Sequence, residues 1–196
     1  MNIQWKYLPP NVMTFLTNVF ALLCLYISFQ HNDRRAAIFL LVAGALDAAD
    51  GVVARKLNAQ SRFGNIYDSM SDFLAFGIAP AFFLYFTELI HPAIALLYVL
   101  AIQLRLAQYS AAPESESPEK YFHGLAAPDA VYVGILLGLI PYSSYNFGFA
   151  IAALMAIYPG KLWPKGMRLP KLIIGAACLR SFFTRIPCRR NDMRAD

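Results

Sequence analysis

Four aspartates, Asp47, Asp50, Asp68 and Asp72, fall within 26 residues of a chain that contains only eight. The stretch that holds them, LDAADGVVARKLNAQSRFGNIYDSMSDFLAFG, is otherwise mostly apolar or small. On a helix advancing 100° per residue, Asp47, Asp50, Gly51 and Ala54 share an arc of about 100°. Asp68 and Asp72, four residues apart, share one face of a following helix. With a loop of ten residues, KLNAQSRFGN, between the two helices, the carboxylate pairs can converge as antiparallel neighbours. Hard oxygen donors in that arrangement suit Mg²⁺ or Mn²⁺, and the lack of Cys and His in the stretch argues against zinc. Four carboxylates can hold two such ions about 3.5–4 Å apart, a spacing that clamps phosphates in displacement chemistry. The alternative is a metal-free ion-pair network. Arg55 and Arg62 are the nearby cations, and two of them do not balance four acids.

The residues around the acids fit phosphate handling. Gly51 and Ala54 let a ligand approach the backbone closely, although small residues also serve plain helix packing in membranes. Gly64 stands where the third helix opens, and free N–H groups at such an end attract anions. Arg55 is a forked donor suited to a diphosphate.

The elements that must position these groups are membrane helices. The 196 residues are 58% hydrophobic and 15% charged, with a mean hydropathy of +0.46. Soluble domains average about 25% charged residues. Apolar runs near the roughly 20 residues needed to cross a bilayer predict spans at about 11–30, 36–55, 66–89, 91–110, 126–143 and 145–163. The opening MNIQWKYLPP lacks a small-residue cleavage site and reads as interfacial, with Trp5 and Tyr7 at headgroup level. Inner segments hold Lys6, then Arg55, Lys56 and Arg62, then Arg105 and Lys120, then the tail; outer loops hold only Arg34 and Arg35. The expected fold is therefore an all-α integral membrane protein, a six-transmembrane-helix bundle with both termini cytoplasmic.

Nine of the 17 Lys and Arg lie from Lys161 onward. This divides the chain into a membrane domain, 1–163, and a basic interfacial tail, 164–196, that faces lipid headgroups rather than nucleic acid. Cys24, Cys178 and Cys188 have neither metal nor disulfide spacing. Asp129 is placed to complement a helix N-terminus. His123 reads as an incidental loop residue and Glu114, Glu116 and Glu119 as a solvated face. A cation transporter is the rival functional class, but inverted repeats are absent from the sequence and all four acids lie on adjacent helices.

Taken in order, Asp47, Asp50, Gly51, Ala54, Arg55, Gly64, Asp68 and Asp72 spell Asp-x-x-Asp-Gly-x-x-Ala-Arg, eight residues, then Gly-x-x-x-Asp-x-x-x-Asp. This pattern resembles the signature of the CDP-alcohol phosphatidyltransferases, membrane enzymes of phospholipid synthesis. Pro10, Asn11, Thr14 and Asn18 resemble the opening of the phosphatidylserine-synthase subgroup, as do the run YDSMSDFLAFGIAPAFF and the stretches LRLAQYS and FHGLAAPDA. Related synthases for phosphorylated alcohols place Lys after the last Asp, where this chain has Phe73. Gln108, Ser110 and Ala126 depart from the subgroup's Arg, Asn and Pro. The resemblance implies a homodimer of six-helix bundles with a cavity open to the cytoplasm, two divalent cations on Asp47, Asp50, Asp68 and Asp72, and Asp72 as general base. Gly51, Ala54, Arg55 and Gly64 would bind the CDP moiety, with Asn11 and Thr14 lining the nucleotide site. The implied substrates are CDP-diacylglycerol and L-serine. For Arg105 two readings stand, a ligand to the serine carboxylate or lipid phosphate and a positive-inside anchor.

Overall fold

The computed structural model describes residues 7–59, 61–111, 121–123, 127–138, 145–158 and 161–164. Helix α1, Leu8–Phe29, starts three residues before the predicted span, because Pro9 and Pro10 occupy a first turn whose N–H groups have no helical partner anyway. A tight turn follows, with His31 at φ 56°, and α2, Asp33–Lys56, runs back along α1. The face that α1 buries is Pro10, Thr14, Thr17, Ala21, Cys24 and Ser28. Helix α2 packs along α1 and buries Asp33, Ala36, Ala37, Ala43 and Asp50. Short side chains on both sides allow close backbone approach, the usual basis of helix association in lipid.

After a turn through Asn58, at φ 47°, α3 spans Arg62–Asp72. A π-helical segment, Phe73–Ile78, links it to α4, Ala79–Phe86. Helices α5 (Pro92–Ala111), α6 (Ala127–Gly138) and α7 (Tyr145–Ile157) pack against one another, with α5 also lying along the π segment. Gly134 admits the Phe149 ring so closely that a Cβ there would stand 2.8 Å from Cε2. The Phe149 ring meets Tyr98 edge-on, with centroids 4.9 Å apart.

Three helical stretches are long and apolar enough to cross a membrane: Leu8–Phe29, Asp33–Lys56 and Arg62–Phe86. The apolar stretches Pro92–Gln108 and Tyr145–Ile157 are shorter. Large apolar side chains point outward, Phe29 at 69% exposure and Leu154 at 66%, as suits contact with hydrocarbon.

Other features also differ from the sequence expectation. The α2–α3 connection is shorter than ten residues, because a cap at Ser61 starts α3 at Arg62 rather than near Ile66. The last helix ends at Ile157, since Pro159 and Gly160 are terminators. Beyond them Lys161–Pro164 (β2) pairs antiparallel with Tyr121–His123 (β1), a ribbon that the apolar pattern did not predict. Trp5 and the tail 165–196 lie outside the described residues.

Candidate metal centre

Helices α2 and α3 carry the four acids at matching depths. Asp50 lies six residues from the end of α2 and Asp68 six from the start of α3, about 9 Å along each axis. Asp47 and Asp72 are nine and ten residues in, about 14–15 Å. The result is two tiers. Carboxylate oxygens of Asp47, Asp50 and Asp68 lie within 4.8 Å of one another. Asp72 is outside that trio and contacts Asp47 in the deeper tier. Asp50 is buried, and the other three are half-buried.

Helix α1 forms the wall between these helices. The Thr14 hydroxyl donates to Asp50 Oδ2 at 2.9 Å and also lies 3.0 Å from the Pro10 carbonyl, so its one proton serves either acceptor. Ser71 Oγ donates to the Thr14 carbonyl at 3.5 Å, and Asn18 Nδ2 to the Tyr67 hydroxyl at 3.4 Å. Among the described residues α2 and α3 hardly approach each other directly, whereas each packs on α1. The acids therefore face each other across a gap over α1, where the sequence suggested a directly packed pair.

The small residues sit around this gap. The Arg55 guanidinium folds back over Gly51, its Nη1 3.4 Å from where a Cβ would stand, and Ala54 is half-buried on the same helix. A Cβ at Gly64 would meet Ser61 Oγ at 3.0 Å and Asn11 Oδ1 at 3.6 Å, so Asn11 reaches the opening of α3. The Gly64 N–H is not free for an anion as the sequence suggested. It donates to Ser61 Oγ at 3.0 Å, because Ser61 is the N-cap and Gly64 the third helical residue. Arg105 is only 6% exposed and continues the buried stripe Tyr98, Ala101, Ile102 along α5. Asp129 stands in the first turn of α6, as expected. Sequence reasoning missed Ser61, Ser71 and the Asn18–Tyr67 pair. Ser61 was detectable as a capping residue before a helical run, and Ser71 as a hydroxyl on an otherwise buried face.

The donor chemistry fits a hard divalent cation. Oxygens around one Mg²⁺ stand about 3–4.2 Å apart in an octahedron of 2.1 Å bonds. The trio needs only a slight contraction to match.

Residues 7–163 match the CDP-alcohol phosphatidyltransferase family. Three relatives carry the name CDP-diacylglycerol–serine O-phosphatidyltransferase. That of Mycobacterium tuberculosis (strain ATCC 25618 / H37Rv) is 35% identical over 127 residues, 61% of this chain and 44% of that protein. That of Helicobacter pylori (strain ATCC 700392 / 26695) is 29% identical over 152 residues, 75% and 63%. That of Bacillus subtilis (strain 168) is 32% identical over 142 residues, 70% and 76%. The chain thus spans under half the length of the mycobacterial relatives it matches. With every described helix, from α1 to α7, and all four acids inside the matched region, the chain belongs to the CDP-alcohol phosphatidyltransferase family.

Proposed function

We propose that the chain transfers the phosphatidyl group of CDP-diacylglycerol to the hydroxyl of L-serine, yielding phosphatidylserine and CMP. The observation that carries the reading is the convergence of Asp47, Asp50 and Asp68 within 4.8 Å, with Asp72 against Asp47, in an apolar bundle. Serine as acceptor rests on the names of the relatives.

Two divalent cations, Mg²⁺ or Mn²⁺, held by Asp47, Asp50, Asp68 and Asp72, would neutralise diphosphate charge and make CMP a workable leaving group. Arg55 adds a forked donor to that diphosphate, and Gly51 and Ala54 leave room for it above α2. Asn11, Thr14 and Gly64 border the nucleotide, with Thr14 also holding Asp50 in place. Asp72 takes the proton of the serine hydroxyl. The oxygen attacks the phosphorus bearing diacylglycerol, that bond forms, and the bond to the CMP oxygen breaks.

Arg105 is assigned to the serine carboxylate or the lipid phosphate. Two contacts set the register of α5 against the third span: Ser110 Oγ to Ser69 Oγ at 3.4 Å, and the Tyr98 hydroxyl to the Phe76 carbonyl at 2.8 Å. Interpolated between them, Arg105 falls near the level of Asp72. The same contact places Ser110, one of the departures from the serine-synthase pattern, next to the Asp68 turn. In this reading the chain is a six-span bundle with both termini cytoplasmic. Residues 1–163 form the membrane domain, 164–196 a basic headgroup-facing tail, and two copies associate as a homodimer.

The test is CMP release by purified protein in detergent with CDP-diacylglycerol and Mg²⁺ or Mn²⁺, with and without EDTA. Metal-dependent release with L-serine, absent with inositol phosphate, glycerol 3-phosphate or no acceptor, is the expected result. Release with another alcohol overturns the acceptor, and no release with any overturns the reaction.

A further inference from the structure

Rare π-helical turns need support from outside the helix. The segment Phe73–Ile78 begins directly after Asp72. Its closing bond runs from the Ala79 N–H to the Leu74 carbonyl, five residues back. The next residue, Pro80, has no N–H to offer the carbonyl of Phe76, its α-helical partner four residues back. The Tyr98 hydroxyl supplies a donor instead, at 2.8 Å, from a side chain that is 0% exposed. The Tyr98 ring also meets Phe149 edge-on, a contact that does not involve the hydroxyl. One turn further along α5, Ile102 Cγ2 lies 3.3 Å from where a Gly77 Cβ would stand, and on α2 a Cβ at Gly44 would stand 3.7 Å from Phe76 Cε1. The π segment is therefore gripped from α5 and α2.

The grip bears on Asp72. The widened turns separate the rotation of α3 from that of α4, so both the aspartate face and the Ala79, Pro80, Phe83 and Leu84 face can turn into the bundle. We infer that Tyr98 is a positioning residue: by donating to the Phe76 carbonyl, for which Pro80 lacks the α-helical donor, it fixes the π segment that aims Asp72 at the other acids. The inference rests on the reading of the four aspartates as the cation site.

The test uses the full chain in detergent, with Mn²⁺ binding followed by electron paramagnetic resonance in the absence of substrate. Tyr98→Phe, which keeps the ring and removes the hydroxyl, is expected to raise the half-saturating Mn²⁺ concentration roughly tenfold. It should lower kcat more than it raises KM for the CDP-lipid. Phe149→Leu removes the ring contact and keeps the hydroxyl bond; it should lower the Tm and leave Mn²⁺ binding unchanged. Pro80→Ala, which returns an N–H to the Phe76 carbonyl, should hold or raise the Tm yet weaken Mn²⁺ binding. Parental Mn²⁺ binding in both Tyr98→Phe and Pro80→Ala overturns the inference, as does Mn²⁺ binding that simply follows Tm across the three variants. A parent protein that binds no Mn²⁺ overturns the cation-site reading, and this one with it.

Discussion

Asp50 and Asp72 sit in the same four-acid group but in different surroundings, and their substitutions separate. Asp50 is held by Thr14, whose hydroxyl donates to it at 2.9 Å. Thr14→Val preserves shape and removes that donor, so the Mg²⁺ or Mn²⁺ concentration for half-maximal rate should rise about tenfold, while Thr14→Ser restores it. A metal titration of CMP release checks this, and identical curves for Val and Ser remove Thr14 from the site. Asp72 lies outside the closest trio and is the proposed base. Asp72→Asn should lower kcat by about 10²–10⁴-fold while CDP-lipid binding persists. A near-parental rate in that variant removes Asp72 from the role.

At the scale of elements, much was legible because periodicity is a local signal. The aspartate, glycine and alanine positions on α2 share one arc by counting alone, and α1 and the middle of α2 carry long apolar runs. The start of α3 was misplaced because it depends on one side chain, Ser61, closing onto the Gly64 N–H. The π segment follows from Pro80 together with Tyr98, a donor on another helix, and no local pattern announces it. The β1–β2 ribbon joins strands almost forty residues apart, where apolar counting could only extend the last helix. Helix α6 illustrates packing that sequence alone hides. Gly134 looks like a weak point in a helix, yet a Cβ there would stand 2.8 Å from Phe149 Cε2. Gly134→Ala should therefore destabilise by about 1–3 kcal/mol despite the better helix propensity of Ala. A thermal melt in detergent that shows equal or higher Tm contradicts that packing.

At the scale of the whole molecule, the acids of α2 and α3 meet in two tiers, each tier at a matched depth on the two helices. Helices α1 and α2, of 22 and 24 residues, are about 33 and 36 Å long, enough for a hydrocarbon core of about 30 Å with slight tilt. In the proposed bundle the turn after α1 and the turn after α2 lie on opposite sides of the membrane. The basic residues Arg55, Lys56 and Arg62 flank the second turn, and the proposed orientation puts that turn in the cytoplasm, where Asp50 and Asp68 are about 9 Å from the surface-facing helix ends. In the proposed reaction the CDP headgroup enters from that side. Single cysteines at Gln30 and Leu57, both exposed, test the arrangement in a background with Cys178→Ser and Cys188→Ser; Cys24 is buried. A membrane-impermeant maleimide added to intact cells should label Gln30→Cys and leave Leu57→Cys unlabelled until the membrane is opened. The reverse pattern inverts the orientation and moves the acids to the outer side, away from cytoplasmic nucleotide. Labelling of both from outside means that α2 does not cross, and the matched depths of the facing acids on α2 and α3 then have another cause.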